Sequence, residues 1–222
     1  MIRLLNVRKS FRLKGGRKVI ANGITFDFPT GKSVALLGRN GAGKSSMLNM
    51  IAGSMQPDEG LITVSGTISW PVGFAGSFHN DLSGAQNVRF LARIYGIDTR
   101  ELLDFVADFS ELGKHFHQPV RSYSSGMKSR LAFGASMGIH FDTYLVDEIT
   151  AVGDAAFREK SETVFMDRMK KSGALFVTHS LTSVRRVCDS VAVLEGGGLR
   201  YFSNVEEGIA RHEANMRKRS DH

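Results

Sequence analysis

Two hydropathy patterns divide this chain. Unbroken apolar runs occur at 33–38 (SVALLG), 143–148 (TYLVDE) and 174–179 (ALFVTH), each with the length of a short buried strand. RLLNV at 3–7 reads as a further strand, and GITFDF at 23–28 alternates apolar with polar residues as a half-buried strand does. RLKGGRK at 12–18 reads as a basic turn between them, so the start of the chain predicts an antiparallel β lobe. Near the other end, VAVL at 191–194, GGG at 196–198 and LRYF at 199–202 read as a hairpin. The second pattern is helical. Val88, Leu91, Ala92 and Tyr95 make one apolar face at i, i+3, i+4, i+7. Ser83 with Gln86, Asp98 with Glu101 and Ser203 with Glu206 have the spacing of capping boxes. The expectation is one α/β domain over residues 1–222, with a helical subdomain over about 80–138. No repeat or low-complexity tract interrupts it.

The chemistry gathers where these elements meet. Between SVALLG and the helix-like MLNMIAG (47–53) lies Gly38-Arg39-Asn40-Gly41-Ala42-Gly43-Lys44-Ser45, a P-loop pattern followed by Ser46. Glycines let the backbone turn its N–H groups inward toward phosphate, and the following helix presents its positive end to the anion. Lys44 is suited to the β- and γ-phosphates, and the Ser45 hydroxyl to Mg²⁺. TYLVDE ends in two carboxylates. Asp147 stands where an aspartate supports Mg²⁺, and Glu148, on the other side of the strand, is placed to polarise a water as general base. His179 closes the third run, where a neutral imidazole can orient that water against the γ-phosphate. Downstream of the helical segment, YSSGMKS at 123–129 brings Ser124, Ser125 and Gly126 to the start of another helix.

In this order the motifs resemble the nucleotide-binding subunit of an ATP-binding cassette (ABC) transporter over essentially the whole length. The resemblance implies the ABC-type P-loop NTPase fold and a head-to-tail homodimer holding two ATP-Mg²⁺. In it, Ser125 and Gly126 of one copy contact the γ-phosphate on the other copy's P-loop. ITAVGD after Glu148 resembles the D-loop, with Asp154 crossing the dimer interface, and Phe11 occupies the position of the aromatic that stacks on adenine. TISWPVGFAGSF (67–78), YSSGMKSRLAFGASM (123–137) and VDEITAVGDAAFREK (146–160) are similar to the KpsT-like capsular-polysaccharide exporter ATPases. Such signature variants also typify O-antigen and teichoic-acid exporters. The former often carry a C-terminal carbohydrate-binding domain, for which a chain ending at His222 leaves no room; that favours the capsule branch. The usual Q-loop glutamine has no clear counterpart, and His79 is its nearest polar stand-in. Trp70, Phe74 and Phe78 are candidates for a groove receiving a short helix of the membrane subunit.

Composition narrows the partners. No apolar run approaches the roughly 18–20 residues of a membrane-spanning helix, and the N-terminus has no signal-peptide pattern. A single cysteine, Cys188, excludes an internal disulfide and suits a reducing compartment. The net charge of +7 is mostly dispersed, apart from Arg211, Arg217, Lys218 and Arg219, and lacks the aromatic interleaving of a nucleic-acid groove. The basic end reads either as a solvated helix end or as a contact for lipid headgroups. Repair ATPases with long coiled-coil insertions, tandem-cassette translation factors and GTPases with an Asn-Lys-x-Asp guanine motif do not match. The implied setting is the cytoplasmic face of the bacterial inner membrane. A permease dimer and envelope accessory proteins are the implied partners, lipid-linked polysaccharide the cargo, and nucleic acid no partner.

Overall fold

A computed structural model describes residues 1–73, 76, 78–147 and 155–217. They divide into two compact units, one of Met1–Pro71, Asp142–Glu148 and Lys171–His222, the other of Val72–Phe141 and Ile149–Lys170.

The first unit holds two sheets. In the smaller, β1 (Ile2–Leu13) lies between β2 (Gly16–Phe28) and β4 (Glu59–Val64), all antiparallel. The β1–β2 ladder runs past the residues whose alternation announced it. Phe11 pairs with Lys18 and Leu13 with Gly16, so the turn shrinks to Lys14–Gly15 and most of the expected basic turn is strand. Cross-strand pairing here outweighs a locally polar sequence. The larger sheet has the order β5 (Ile68–Pro71), β6 (Thr143–Asp147), β7 (Gly173–Val177), β3 (Ser33–Leu37), β8 (Ser190–Glu195) and β9 (Gly198–Phe202). Its strands are parallel except β9, which returns antiparallel from β8. Every residue of β3 and β7 is buried. That explains why these strands read as continuous apolar runs: parallel strands covered on both faces have no solvent side to alternate with. Leu36, Met47, Leu48, Leu145 and Leu175 form the centre of this core, drawn from β3, the helix α1 (Lys44–Ile51), β6 and β7. The short helix α6 (Leu181–Val187) and the final helix α7 (Val205–Arg217) complete the unit. The α7 cap is Asn204, not Ser203: its Oδ1 accepts from the backbone N–H groups of Glu206 and Glu207 at 2.9 and 3.2 Å.

The second unit is helical: α2 (Gly84–Tyr95), α3 (Thr99–Ser110), α4 (Ser125–Gly138) and α5 (Ala155–Met169), with 3₁₀ turns at Gly113–His117 and Val120–Ser122. Ser83 and Gln86 close the expected capping box on α2, and Asp98 caps α3 through Arg100 and Glu101. Val88, Leu91 and Ala92 are buried as their spacing demands, whereas Tyr95 at the helix end is exposed and lies edge-on to Phe141. Phe109 packs against Phe133 and Phe157 at the centre. Cys188, in the first unit, is buried, and burial pushes its thiol up to about 12, which fits packing rather than reactivity.

Candidate active site

Three parallel strands, β3, β6 and β7, deliver chemistry from their carboxyl ends, where open α/β sheets bind ligands. After β3 the chain turns through the P-loop into α1. Gly43 is the N-cap of that helix at φ 103°, a left-handed conformation, and a Cβ there would stand 2.4 Å from Ile20 Cγ2, so only glycine fits. Gly38 is needed for another reason: a Cβ would meet the Leu194 carbonyl oxygen at 2.7 Å. The first turn of α1 carries no acidic residue, which leaves its positive end uncompensated. Lys44 is buried, and its Nζ donates to the carbonyls of Gly38 at 2.8 Å and Arg39 at 3.2 Å. The ammonium is thus held in place by the loop's own backbone.

A cavity of about 400 Å³ opens over this loop. Asn40, Gly41, Gly43, Lys44, Ser45 and Ser46 form its floor. Asp147, at the end of β6, His179, two residues past β7, and Phe11, Lys18 and Ile20 also line it. Phe11, part of the P-loop, Asp147 and His179 therefore share one space, although Phe11 and His179 are 168 positions apart. Ser45 and Asp147 offer a hydroxyl and a carboxylate, hard oxygen donors that suit Mg²⁺ completed by water and phosphate rather than a soft metal. No cluster of three or more His, Cys, Asp or Glu able to hold a metal occurs among the described residues.

Gly38, Arg39 and Ala42 border a second cavity of about 400 Å³ instead, together with Leu194, Glu195, Gly196, His212 and Asn215. Motif reading did not single out this wall. Burial, followed by the nearby Lys44, holds the His212 imidazole below its ordinary range, while Glu213 pulls the other way. Arg211 Nη2 and Asn215 Nδ2 both donate to Glu195 Oε2, at 3.0 and 2.8 Å. Lys18 was also missed as an individual residue, since it lay inside what read as a turn; its register opposite Phe11 would have located it.

Other expected site residues lie elsewhere. Ser124 is the N-cap of α4, its hydroxyl accepting from Met127 N–H at 3.2 Å, so Ser125 and Gly126 occupy the helix's first turn in the helical unit. Both are exposed, and a Cβ on Gly126 would meet only Ser124 Oγ, at 3.9 Å. His79, in the same unit, is exposed; its Nδ1 accepts from the Asp81 N–H at 3.3 Å and its backbone N–H donates to Asn87 Oδ1. Phe78 is buried and Trp70 half-buried, so Phe78 offers little surface to a partner. Glu148, Asp154, Phe74, Lys218 and Arg219 lie outside the described residues. No described helix is long and apolar enough to cross a membrane.

Comparison with known proteins shows the family and the fold. The family model described as ABC transporter matches residues 21–151. The chain is 48% identical over 216 residues to the polysialic acid transport ATP-binding protein KpsT of Escherichia coli, covering 96% of each. It is 39% identical to the capsule polysaccharide export ATP-binding protein CtrD of Neisseria meningitidis, covering 93% of this chain and 96% of the relative. Among solved structures, a dimeric ATP-binding cassette in a post-hydrolysis state bound to ADP and phosphate superposes with a TM-score of 0.74 at 21% identity, covering 91% of this chain and 98% of the other.

Proposed function

The chain belongs to the ABC transporter family, and from that premise we propose that it is the ATP-hydrolysing subunit of an exporter carrying capsular polysaccharide across the inner membrane. The observation that carries the proposal is the single cavity walled by Phe11, the P-loop, Asp147 and His179. The substrate class rests on relatives named for polysialic acid transport and capsule polysaccharide export.

In this reading Phe11 stacks on adenine, and the backbone N–H groups of residues 38–46 receive the phosphates. Lys44 exchanges its carbonyl partners for β- and γ-phosphate oxygens, a charge-assisted contact stronger than the one it leaves. Ser45 and Asp147 would hold Mg²⁺, which when bound would supply positive charge to the phosphates. Glu148 accepts a proton from the attacking water, and His179 orients that water toward the γ-phosphate. A second copy of the chain closes the site with its Ser124, Ser125 and Gly126 at the start of α4, where helix N–H groups suit an anion, and Asp154 crosses the interface. His79 stands at the Q-loop position. The subunit docks on the cytoplasmic side of a permease dimer, with envelope accessory proteins beyond it and lipid-linked polymer as cargo.

The test is a strain whose only copy carries Glu148→Gln. Purified, this variant is expected to lose turnover at least about 100-fold, as removal of a general base does, while still dimerising with ATP. In cells, acidic capsule polymer is expected to accumulate inside with none at the surface. Normal capsule with missing O-antigen or teichoic polymer would move the protein to that sister branch; unchanged glycans, or full turnover, would overturn the assignment.

A further inference from the structure

Lys18 stands directly opposite Phe11 in the β1–β2 ladder, so the two side chains share one face of the hairpin. Both line the cavity over the P-loop. The Lys18 ammonium lies 3.0 Å from where a Cβ on Gly41 would stand; the bare glycine lets it lie against the loop. A second lysine on the same hairpin face behaves differently. Lys9 sits 5.6 Å from the Phe11 ring centroid, but its Nζ pairs with Asp58 at 2.9 Å and with the Gln56 carbonyl at 2.8 Å. Lys18 is half-buried and forms no ion pair among the described residues. Its ammonium therefore faces the cavity with its charge uncommitted, available to an anion bound over the loop.

We propose that Lys18 is a second cation for the phosphate chain, delivered from the hairpin rather than from the P-loop. The strand pair that stacks the base then also neutralises the phosphates, so base and phosphate recognition share one rigid ladder. This inference rests on the nucleotide reading above and adds a residue that the P-loop motif does not contain.

Titration calorimetry with MgADP on the full chain tests it, using wild type, Lys18→Met and Lys18→Arg at about 50 mM and about 500 mM salt. Methionine keeps the apolar stem and removes the charge. Lys18→Met is expected to bind about tenfold more weakly at low salt, in line with loss of a hydrogen bond to a charged group. The deficit is expected to shrink to under about threefold at high salt, where screening acts within a few ångströms, and Lys18→Arg is expected to recover most of the affinity. Affinity of Lys18→Met within about twofold of wild type at low salt would overturn the proposal. So would a loss that neither salt nor arginine alters, because that marks stem packing. Wild-type protein that binds no MgADP would overturn the nucleotide reading itself, and this inference with it.

Discussion

Two cavities of about 400 Å³ border the P-loop and share Asn40 and Gly41, one the front and the other the back, yet the two are built by different means. The front face collects strand ends and a helix start: Lys44, Ser45, Asp147 and His179, with Phe11 and Lys18 from the hairpin. The back face is closed by the end of β8 and by α7, through Glu195, His212 and Asn215. Unpaired groups occur on both sides with opposite meaning. At the front the unpaired group is a half-buried cation at the lip of a phosphate cradle. At the back Arg211 Nε, His212 Nδ1 and Asn215 Oδ1 are buried without a protein partner, although their residues are tied to Glu195 or packed against the loop. Buried polar sites of that kind hold ordered water. The contrast fits the proposed nucleotide chemistry at the front and support of the loop at the back.

The largest expected effect is on the front. Lys44→Ala is expected to weaken MgATP and MgADP binding by at least about 100-fold, the scale of about 3 kcal/mol for charge-assisted phosphate contacts. Unfolding free energy should move by no more than about 1–2 kcal/mol, because two carbonyls at an open cavity regain water when the ammonium leaves. Titration calorimetry and chemical denaturation read the two quantities. Retained affinity would refute the cradle, and a collapse of stability would make Lys44 a structural residue.

Next comes the back wall. Gly208 lies in α7 against β8, and a Cβ there would stand 2.4 Å from Val191 Cβ and 2.7 Å from Val191 Cγ1. Val191 is fully buried, so it has nowhere to retreat. Gly208→Ala is expected to cost about 1–3 kcal/mol by overpacking, lowering Tm by a few degrees per kcal/mol in a chain of this size. MgADP affinity should change by less than about threefold, since under 1 kcal/mol is then felt by the front face. A Tm equal to wild type with a tenfold loss of affinity would reverse the comparison, making α7 part of the binding machinery.

The same two faces show how far the amino-acid sequence could be read. The front was legible because its determinants are local. A P-loop needs glycines at fixed offsets, and a fully buried parallel strand announces itself as an apolar run ending in the residue it delivers. Asp147 and His179 were singled out that way, the antiparallel lobe was read from the first strands, and the ABC-type fold was implied by the resemblance that the ordered motifs carry. Lys18 escaped because strand pairing, absent from local composition, turned most of a basic loop into ladder. The back escaped because no spacing links Glu195 to Asn215; only the packing of α7 on β8 and β9 joins them. The final cap moved by one residue because Asn204 and Ser203 are both competent cap types, and it is Asn204 Oδ1 that reaches the first-turn N–H groups of Glu206 and Glu207.

The smallest effect concerns His212. Burial, then the positive Lys44, depress its pKa below the ordinary value of about 6.5, with His179 adding to the depression and Glu213 opposing it. A depressed histidine binds its proton less readily folded than unfolded. Its contribution to stability is therefore complete above about pH 6.5 and is lost as pH falls through that value toward the lower folded pKa. The imidazole is partly open to solvent, so screening keeps the effect modest. His212→Gln carries no titrating group, and its Tm is expected to fall less steeply than that of wild type on acidification below about pH 6.5. The two Tm profiles should run parallel above that pH. Saturating MgADP places negative charge in front of Lys44, which offsets the repulsion His212 feels through the loop, so the wild-type slope should flatten toward that of the variant. Identical slopes in the absence of nucleotide would show that folding does not depress the His212 pKa, and a wild-type slope that MgADP leaves unchanged would show that burial rather than Lys44 sets it.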